Sequence, residues 1–338
     1  SEEVEASLKI ADSTAAEIER ASSAYAPVAI RATILYFTLY NLADIDPMYQ
    51  FSLDAYVSLF NASIVKSRRK NRSTADDVEQ RLSALNDYHT YAVYRYTSRA
   101  LFESHKLLLS LQMCVRIQAT DGSIPLSEWE YLVHGGSIAN VARNDVGDTC
   151  AWLSETPWSN VVALEENFKE TFSGLKLSMK ESHAKDWQSW YRHEKPEACP
   201  LPGEWNSRLS ALQQLIILRA VRLDRVENGI RKYVSQVLGK KFIDPPVLNL
   251  HEVFLDSTSE APCIFVLSSG VDPTSNLKQL AETLQMSDKL YTVALGQGQA
   301  SIATEFIRRA HQQGGWVFLA NCHLMISWLP ELQKIVEE

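Results

Sequence analysis

Cys263-Ile264-Phe265-Val266-Leu267-Ser268-Ser269-Gly270-Val271-Asp272-Pro273-Thr274-Ser275 is the stretch that decides the fold class. Five consecutive apolar residues, the length of a short buried strand, run into a turn and then into helical spacing over Ser275–Leu284. Tyr291–Leu295 (YTVAL) and Trp316–Ala320 (WVFLA) repeat the strand signal, with a helix at Ala300–Gln312 between them. Strands alternating with helices predict crossover connections and a parallel sheet. Three parallel strands leave faces and edges to be covered, so this α/β core reads as incomplete.

Upstream the spacing is helical almost throughout. The predicted helices are Val28–Leu42, Phe51–Val65, a long one through Tyr88, Arg95 and Phe102 to Ile117, Trp158–Phe172, Ser182–Tyr191, Asn206–Arg219 and Asp224–Leu238. Lys66–Arg72 (KSRRKNR) reads as a basic connection between helices, and Asp121-Gly122-Ser123 as a turn. The polar stretch from Gly135-Gly136 to Thr149 reads as a loop. Lys195–Gly203, with three prolines, is the best linker candidate. The first segment carries apolar or small residues at alternating spacings of four and three: Val4, Leu8, Ala11, Ala15, Ile18, Ser22 and Tyr25. That is a coiled-coil seam of about three heptads. Residues 1–25 are therefore expected to be a helical arm, with no matching second arm in the chain.

Composition narrows the function. The chain has 338 residues, 46% hydrophobic and 22% charged, with only 13 glycines. It is long enough for two domains and too poor in glycine for a turn-rich all-β fold. A net charge of −8 gives no global pull toward nucleic acid. No apolar run is long enough to cross a membrane. The start, Ser1-Glu2-Glu3-Val4-Glu5, has neither Met nor an apolar leader and reads as an internal start without a signal peptide. Five scattered cysteines and eight scattered histidines lack ligand spacing, so reduced thiols and no metal site are expected.

The segment Ser268–Ser275 lies where a phosphate-binding loop of the GxxxxGK[ST] kind would lie. Laid on that pattern, Thr274 replaces the lysine and Pro273 replaces the second glycine, removing an N–H. Asp272 brings negative charge toward the phosphates; Ser275 takes the final position of the pattern, Ser268 stands at its first position and Gly270 at an unconstrained one. The strand Trp316–Ala320 ends in Asn321-Cys322 where a metal-holding strand would carry Asp-Glu. The expectation is a degenerate nucleotide site with no catalytic, cofactor-binding or metal residues. Gly296-Gln297-Gly298-Gln299 lacks the third glycine of a dinucleotide fingerprint. Arg219, Arg222 and Arg225 are spaced to line one helical edge or to pair with Asp224 and Glu227. Trp187, Trp190 and Tyr191 read as a packing cluster.

Several long strings then carry a family resemblance. Ile45–Leu53 (IDPMYQFSL), Leu101–Leu107 (LFESHKL), Leu201–Trp205 (LPGEW), Phe242–Pro246 (FIDPP), Phe265–Ser275, Leu295–Ala300 (LGQGQA) and Trp316–Leu324 (WVFLANCHL) resemble the dynein heavy chain, in wording nearer the axonemal forms. Ser269, where Pro is expected, and the basic Lys66–Thr74 depart from the pattern.

The resemblance implies a mainly α-helical region followed by an incomplete P-loop/AAA+-like parallel sheet. Residues 1–25 would be the returning arm of the buttress, and 26–240 the helical region closing the fifth AAA+ module. Residues 241–338 would be the first part of the sixth module. It also implies a non-catalytic mechanical segment of a minus-end-directed microtubule motor, with ATP and Mg bound elsewhere in the parent. Its partners would be the remaining AAA+ modules, stalk and linker, then microtubules, and intermediate and light chains through the tail. Its place would be cytoplasm and cytoskeleton, in the axoneme of a cilium or flagellum. The alternatives are an AAA+ module with its own ATPase activity, or a helical protein-binding adaptor.

Overall fold

The computed structural model describes residues 19, 22–70, 78–135, 150–244 and 247–337. Most of the expected arm, all but the first residue of the expected loop after Gly135, and Pro245-Pro246 lie outside them. The chain divides into two compact units, Ser1–Pro246 and Val247–Glu338.

The first unit is helical: α1 (Ala26–Tyr40), α2 (Leu53–Lys70), α3 (Val78–Ser98), α4 (Glu103–Thr120), α5 (Leu126–His134), α6 (Glu155–Asn167), α7 (Ala184–Arg192), α8 (Ala211–Val221) and α9 (Val226–Val237). Pro27 sits in the first turn of α1, where its missing N–H costs nothing. α8 starts on a reciprocal cap: Ser210 Oγ accepts from the Gln213 amide, and the Gln213 side chain accepts from the Ser210 amide. One continuous apolar core joins Leu35 and Leu39 of α1, Val93 and Tyr94 of α3, and Leu109 and Met113 of α4. It runs on through Trp187, Trp205, Ile216, Ile217 and Val234. α8 and α9 come so close that a Cβ on Gly229 would stand 2.5 Å from Leu218 Cδ2 and 2.7 Å from Leu215 Cδ1.

Four expectations in this unit need correction. The long helix to Ile117 is broken between Ser98 and Glu103, because the Tyr49 hydroxyl accepts the Phe102 amide at 3.0 Å. That amide is thereby withdrawn from a continuous helical ladder. Lys66–Lys70 are the last turns of α2, not a connection, since Lys and Arg are good helix formers; Asn71 and Arg72 of the expected connection lie outside the described residues. Lys195–Gly203 is no linker: Pro196, Leu201 and Pro202 are buried, and Glu197 pairs with Arg225. Prolines end a helix without preventing burial of the chain that follows. The three arginines do not share a helical edge, since α8 ends at Val221; of the expected pairings Arg222 with Asp224 forms, while Glu227 pairs with Arg231. Arg219 donates to the Val133 carbonyl, Arg222 to Asp224 and the carbonyls of Tyr191 and His193, and Arg225 to Glu197. Trp187 and Trp190 are packed as expected.

The second unit holds α10 (Leu250–Asp256), α11 (Thr274–Thr283), β1 (Leu290–Ala294), α12 (Ala300–Gln313), β2 (Trp316–Ala320) and α13 (Leu329–Glu337). β1 and β2 pair in parallel, from Leu290 opposite Trp316 to Ala294 opposite Ala320, with α12 as the crossover. α12 stops at Gly314, whose φ of +69° is the left-handed conformation that ends a helix. Val293, Leu295, Ala303 and Trp328 form this unit's own small core. The fold class is therefore the expected one, mainly helical with a small parallel sheet. The expected strand Cys263–Leu267 is a correction: it has no ladder partner among the described residues, and Ile264 is 83% and Val266 65% exposed. An apolar run becomes a strand only when another strand takes its amides and carbonyls.

Candidate functional site

The loop that follows Cys263–Leu267 is turned by Gly270, at φ +81°, with the Val271 amide donating to the Ser268 carbonyl at 3.1 Å. Pro273 precedes α11 in a helical conformation. One oxygen of Asp272 accepts from the Thr274 amide at 2.9 Å and from the Thr274 hydroxyl at 2.5 Å. These two bonds, with Lys278 one turn into the helix, hold the Asp272 carboxyl below the usual carboxylate range. Asp272 thus takes up an amide at the start of α11, the group a bound phosphate would need.

The other half of the candidate site follows β2. Asn321 adopts a left-handed φ of +59° and its carbonyl accepts from the Leu324 amide. The Cys322 thiol donates to the Leu319 carbonyl at 3.3 Å. Among the described residues no hydrogen bond joins Asn321 or Cys322 to Ser268–Ser275, so Asp272 and Thr274 are brought together and the two halves are not joined. The loop has no lysine, no N–H at Pro273 and a carboxylate at its helix start. Among the described residues no group of three or more His, Cys, Asp or Glu could hold a metal, and no helix is long and apolar enough to cross a membrane.

Two features escaped the sequence reading. His89 is buried where α1, α2 and α3 meet: Nε2 lies 2.8 Å from Tyr56 Oη, Nδ1 lies 3.0 Å from Ser63 Oγ, and Phe60 packs edge-on. Tyr56 in turn donates to the Ala32 carbonyl at 2.6 Å. Burial lowers the His89 pKa to about 4 and raises that of Tyr56. The second feature is a trough of about 760 Å³ above this cluster, lined by α1, α2 and α3. Leu53 and Val57, on the trough side of α2, remain about half exposed.

A parallel strand pair with a crossover helix, preceded by a phosphate-loop-like turn, defines a P-loop-type α/β unit. Residues 258–338 match the family model described as dynein heavy chain region D6 P-loop domain. Dynein-1-beta heavy chain, flagellar inner arm I1 complex, of Chlamydomonas reinhardtii is 50% identical over 338 residues, 99% of this chain and 7% of that protein. Dynein axonemal heavy chain 2 of Mus musculus is 45% identical and dynein axonemal heavy chain 1 of Homo sapiens 40%, each over 99% of this chain. The chain belongs to the dynein heavy-chain family. It spans only 7–8% of the length of these relatives.

Proposed function

We propose that this chain is a non-catalytic mechanical relay of an axonemal dynein motor, with a phosphate loop that no longer takes nucleotide. The observation that supports this best is the Asp272 carboxylate at the Thr274 amide, where a phosphate would have to sit. In this reading residues 1–25 are an arm of the buttress, 26–240 close the fifth AAA+ module, and 241–338 open the sixth. ATP and Mg act in other modules of the same heavy chain. Movement reaches this segment as rigid-body displacement of packed helices and passes on through the ring, stalk and linker to the microtubule. The intermediate and light chains bind the parent's tail, and the place of work is the axoneme of a cilium or flagellum.

The intact heavy chain tests this with two variants. A relay predicts that Thr274→Ala/Ser275→Ala leaves microtubule-stimulated ATPase within about twofold of the parent, since less than about 0.5 kcal/mol of barrier is involved. Gly229→Leu, which wedges α8 from α9, should slow microtubule gliding far more than ATP turnover. An ATPase module of its own predicts loss of turnover in the loop variant. An adaptor predicts that neither variant alters gliding.

A further inference from the structure

Cys199 is a free, half-buried cysteine whose Sγ lies 3.5 Å from Nδ1 of His193. The Lys195 amide donates to the same Nδ1 at 3.0 Å, so that nitrogen is the acceptor of the neutral ring and Nε2 carries its proton. Sγ also lies 3.6 Å from the Lys195 carbonyl. The thiol proton therefore has two acceptors, one of them a base. The backbone fixes this pair. A single tight turn at Pro196–Ala198 brings Cys199 back beside His193, with the Cys199 amide donating to the Pro196 carbonyl at 3.1 Å. The His193 carbonyl accepts from Arg222 at 3.2 Å.

Cys199 lines a cavity of about 30 Å³ shared by α7, α8 and α9. Trp190 of α7 lines it too; it is 6% exposed, and its Nε1–H has no acceptor among the described residues. A buried donor left without a partner costs about 1–3 kcal/mol, so an acceptor brought into the cavity is favoured. Lys232 of α9 adds an ammonium that is not paired with an anion among the described residues. Glu197 also lines the cavity, but both its carboxylate oxygens are taken by Arg225. A water molecule needs roughly 10–15 Å³, so the space suits a polar molecule of about two heavy atoms.

We infer that Cys199 is a modification site, oxidised to the sulfenic acid by hydrogen peroxide admitted to this cavity. Sγ attacks one peroxide oxygen; the S–O bond forms as the O–O bond breaks. The thiol proton passes through His193 Nδ1 to the departing hydroxide, which leaves as water. The sulfur is oxidised by two electrons and the peroxide is reduced. The oxygen now on sulfur is an acceptor for the Trp190 indole N–H and lies in the cavity that the Lys232 ammonium lines. Leu215, Leu218 and Gly229 wall the same cavity where α8 and α9 pack closely, so the added atom presses on that joint. The effect on movement rests on the relay reading of this chain; the modification itself does not. Cys263 is the more exposed cysteine and has no hydrogen-bond partner among the described residues, which makes it the internal control.

The test is a hydrogen peroxide titration of the intact heavy chain in the presence of dimedone, which traps sulfenic acids, with the labelled cysteines mapped by mass spectrometry. Cys199 is expected to reach half-labelling at a peroxide concentration at least about tenfold below that for Cys263, since a positioned base speeds proton transfer by more than that. Equal or earlier labelling of Cys263, or no label on Cys199 where Cys263 is labelled, overturns the proposal. His193→Asn keeps an acceptor for the Lys195 amide and takes up no proton, so it should close the gap; an unchanged gap overturns the role of His193. Lys232→Met should raise the peroxide needed at Cys199 and leave Cys263 as it was. After the same treatment, microtubule gliding should slow further in the parent than in Cys199→Ser; equal slowing with Cys199 labelled overturns the effect on the α8–α9 joint. Gly229→Leu, run beside these, reports on the relay reading itself, so either can fail while the other stands.

Discussion

Asp272 closes on Thr274 through one carboxylate oxygen, which accepts both the Thr274 amide at 2.9 Å and the Thr274 hydroxyl at 2.5 Å. The contact takes up the first amide of α11 and fixes an anion where a phosphate-binding loop needs free N–H groups. Because the folded carboxyl titrates below its ordinary value, its contribution to stability is present above that value and lost as pH falls through the folded one. NMR of the Asp272 carboxyl should show a midpoint below the usual range, moving upward in Thr274→Val. A midpoint at or above the ordinary value would contradict the Asp272–Thr274 contact.

His89 gives the first unit a pH dependence of the same sign for a different reason. Its folded pKa of about 4 lies below the free value, so the neutral ring is the one the fold holds. Stability is full above about pH 6.5 and falls as pH drops from there to 4, by on the order of 3 kcal/mol. Urea midpoints between pH 7 and 4 should fall more steeply in the parent chain than in His89→Asn. Parallel pH profiles for the two would show that His89 does not carry the effect.

Ser178 holds two indoles at once: its hydroxyl accepts Trp187 Nε1 at 3.0 Å and Trp205 Nε1 at 2.9 Å. Both tryptophans are buried, so Ser178→Ala strands two N–H donors without water. A loss of about 3 kcal/mol is expected from urea unfolding of the first unit. A change under about 0.5 kcal/mol would mean that the indoles find other acceptors at no cost.

The unit boundary predicts where a protease enters. Val247 is 95% and Leu248 58% exposed, immediately after the last residue of the first unit. Brief thermolysin treatment of the 338-residue chain should cut there or in the exposed apolar run Ile264–Leu267, leaving the first unit intact. Early cleavage within Lys195–Gly203 would contradict the packing of Pro196, Leu201 and Pro202.

Much of this was legible in the residues, and the exceptions have physical causes. Periodicity located α1, α9, α12, β1 and β2 to within a few residues, because each buries a regular stripe or run. It overran at Phe102, where a distant tyrosine hydroxyl outbids the helical ladder. It made a linker of Lys195–Gly203, since proline content reports backbone restriction and not burial. It made a strand of Cys263–Leu267, since apolar content cannot report whether a partner strand is there. The loop chemistry of Pro273 and Thr274 was readable from residue types alone. The Asp272–Thr274 contact and the trough required the third dimension.

Under the proposed function the loop Ser268–Ser275 takes no nucleotide within a working motor. Photolabelling the intact heavy chain with an azido analogue of ATP in the presence of Mg, followed by mapping of the labelled peptides, tests it most directly. The expected result is ATP-protected label on other parts of the heavy chain and none on peptides spanning Val266–Leu277 or Leu319–Leu324. Label on those peptides that excess ATP displaces, and that disappears when Thr274 is changed, would contradict it.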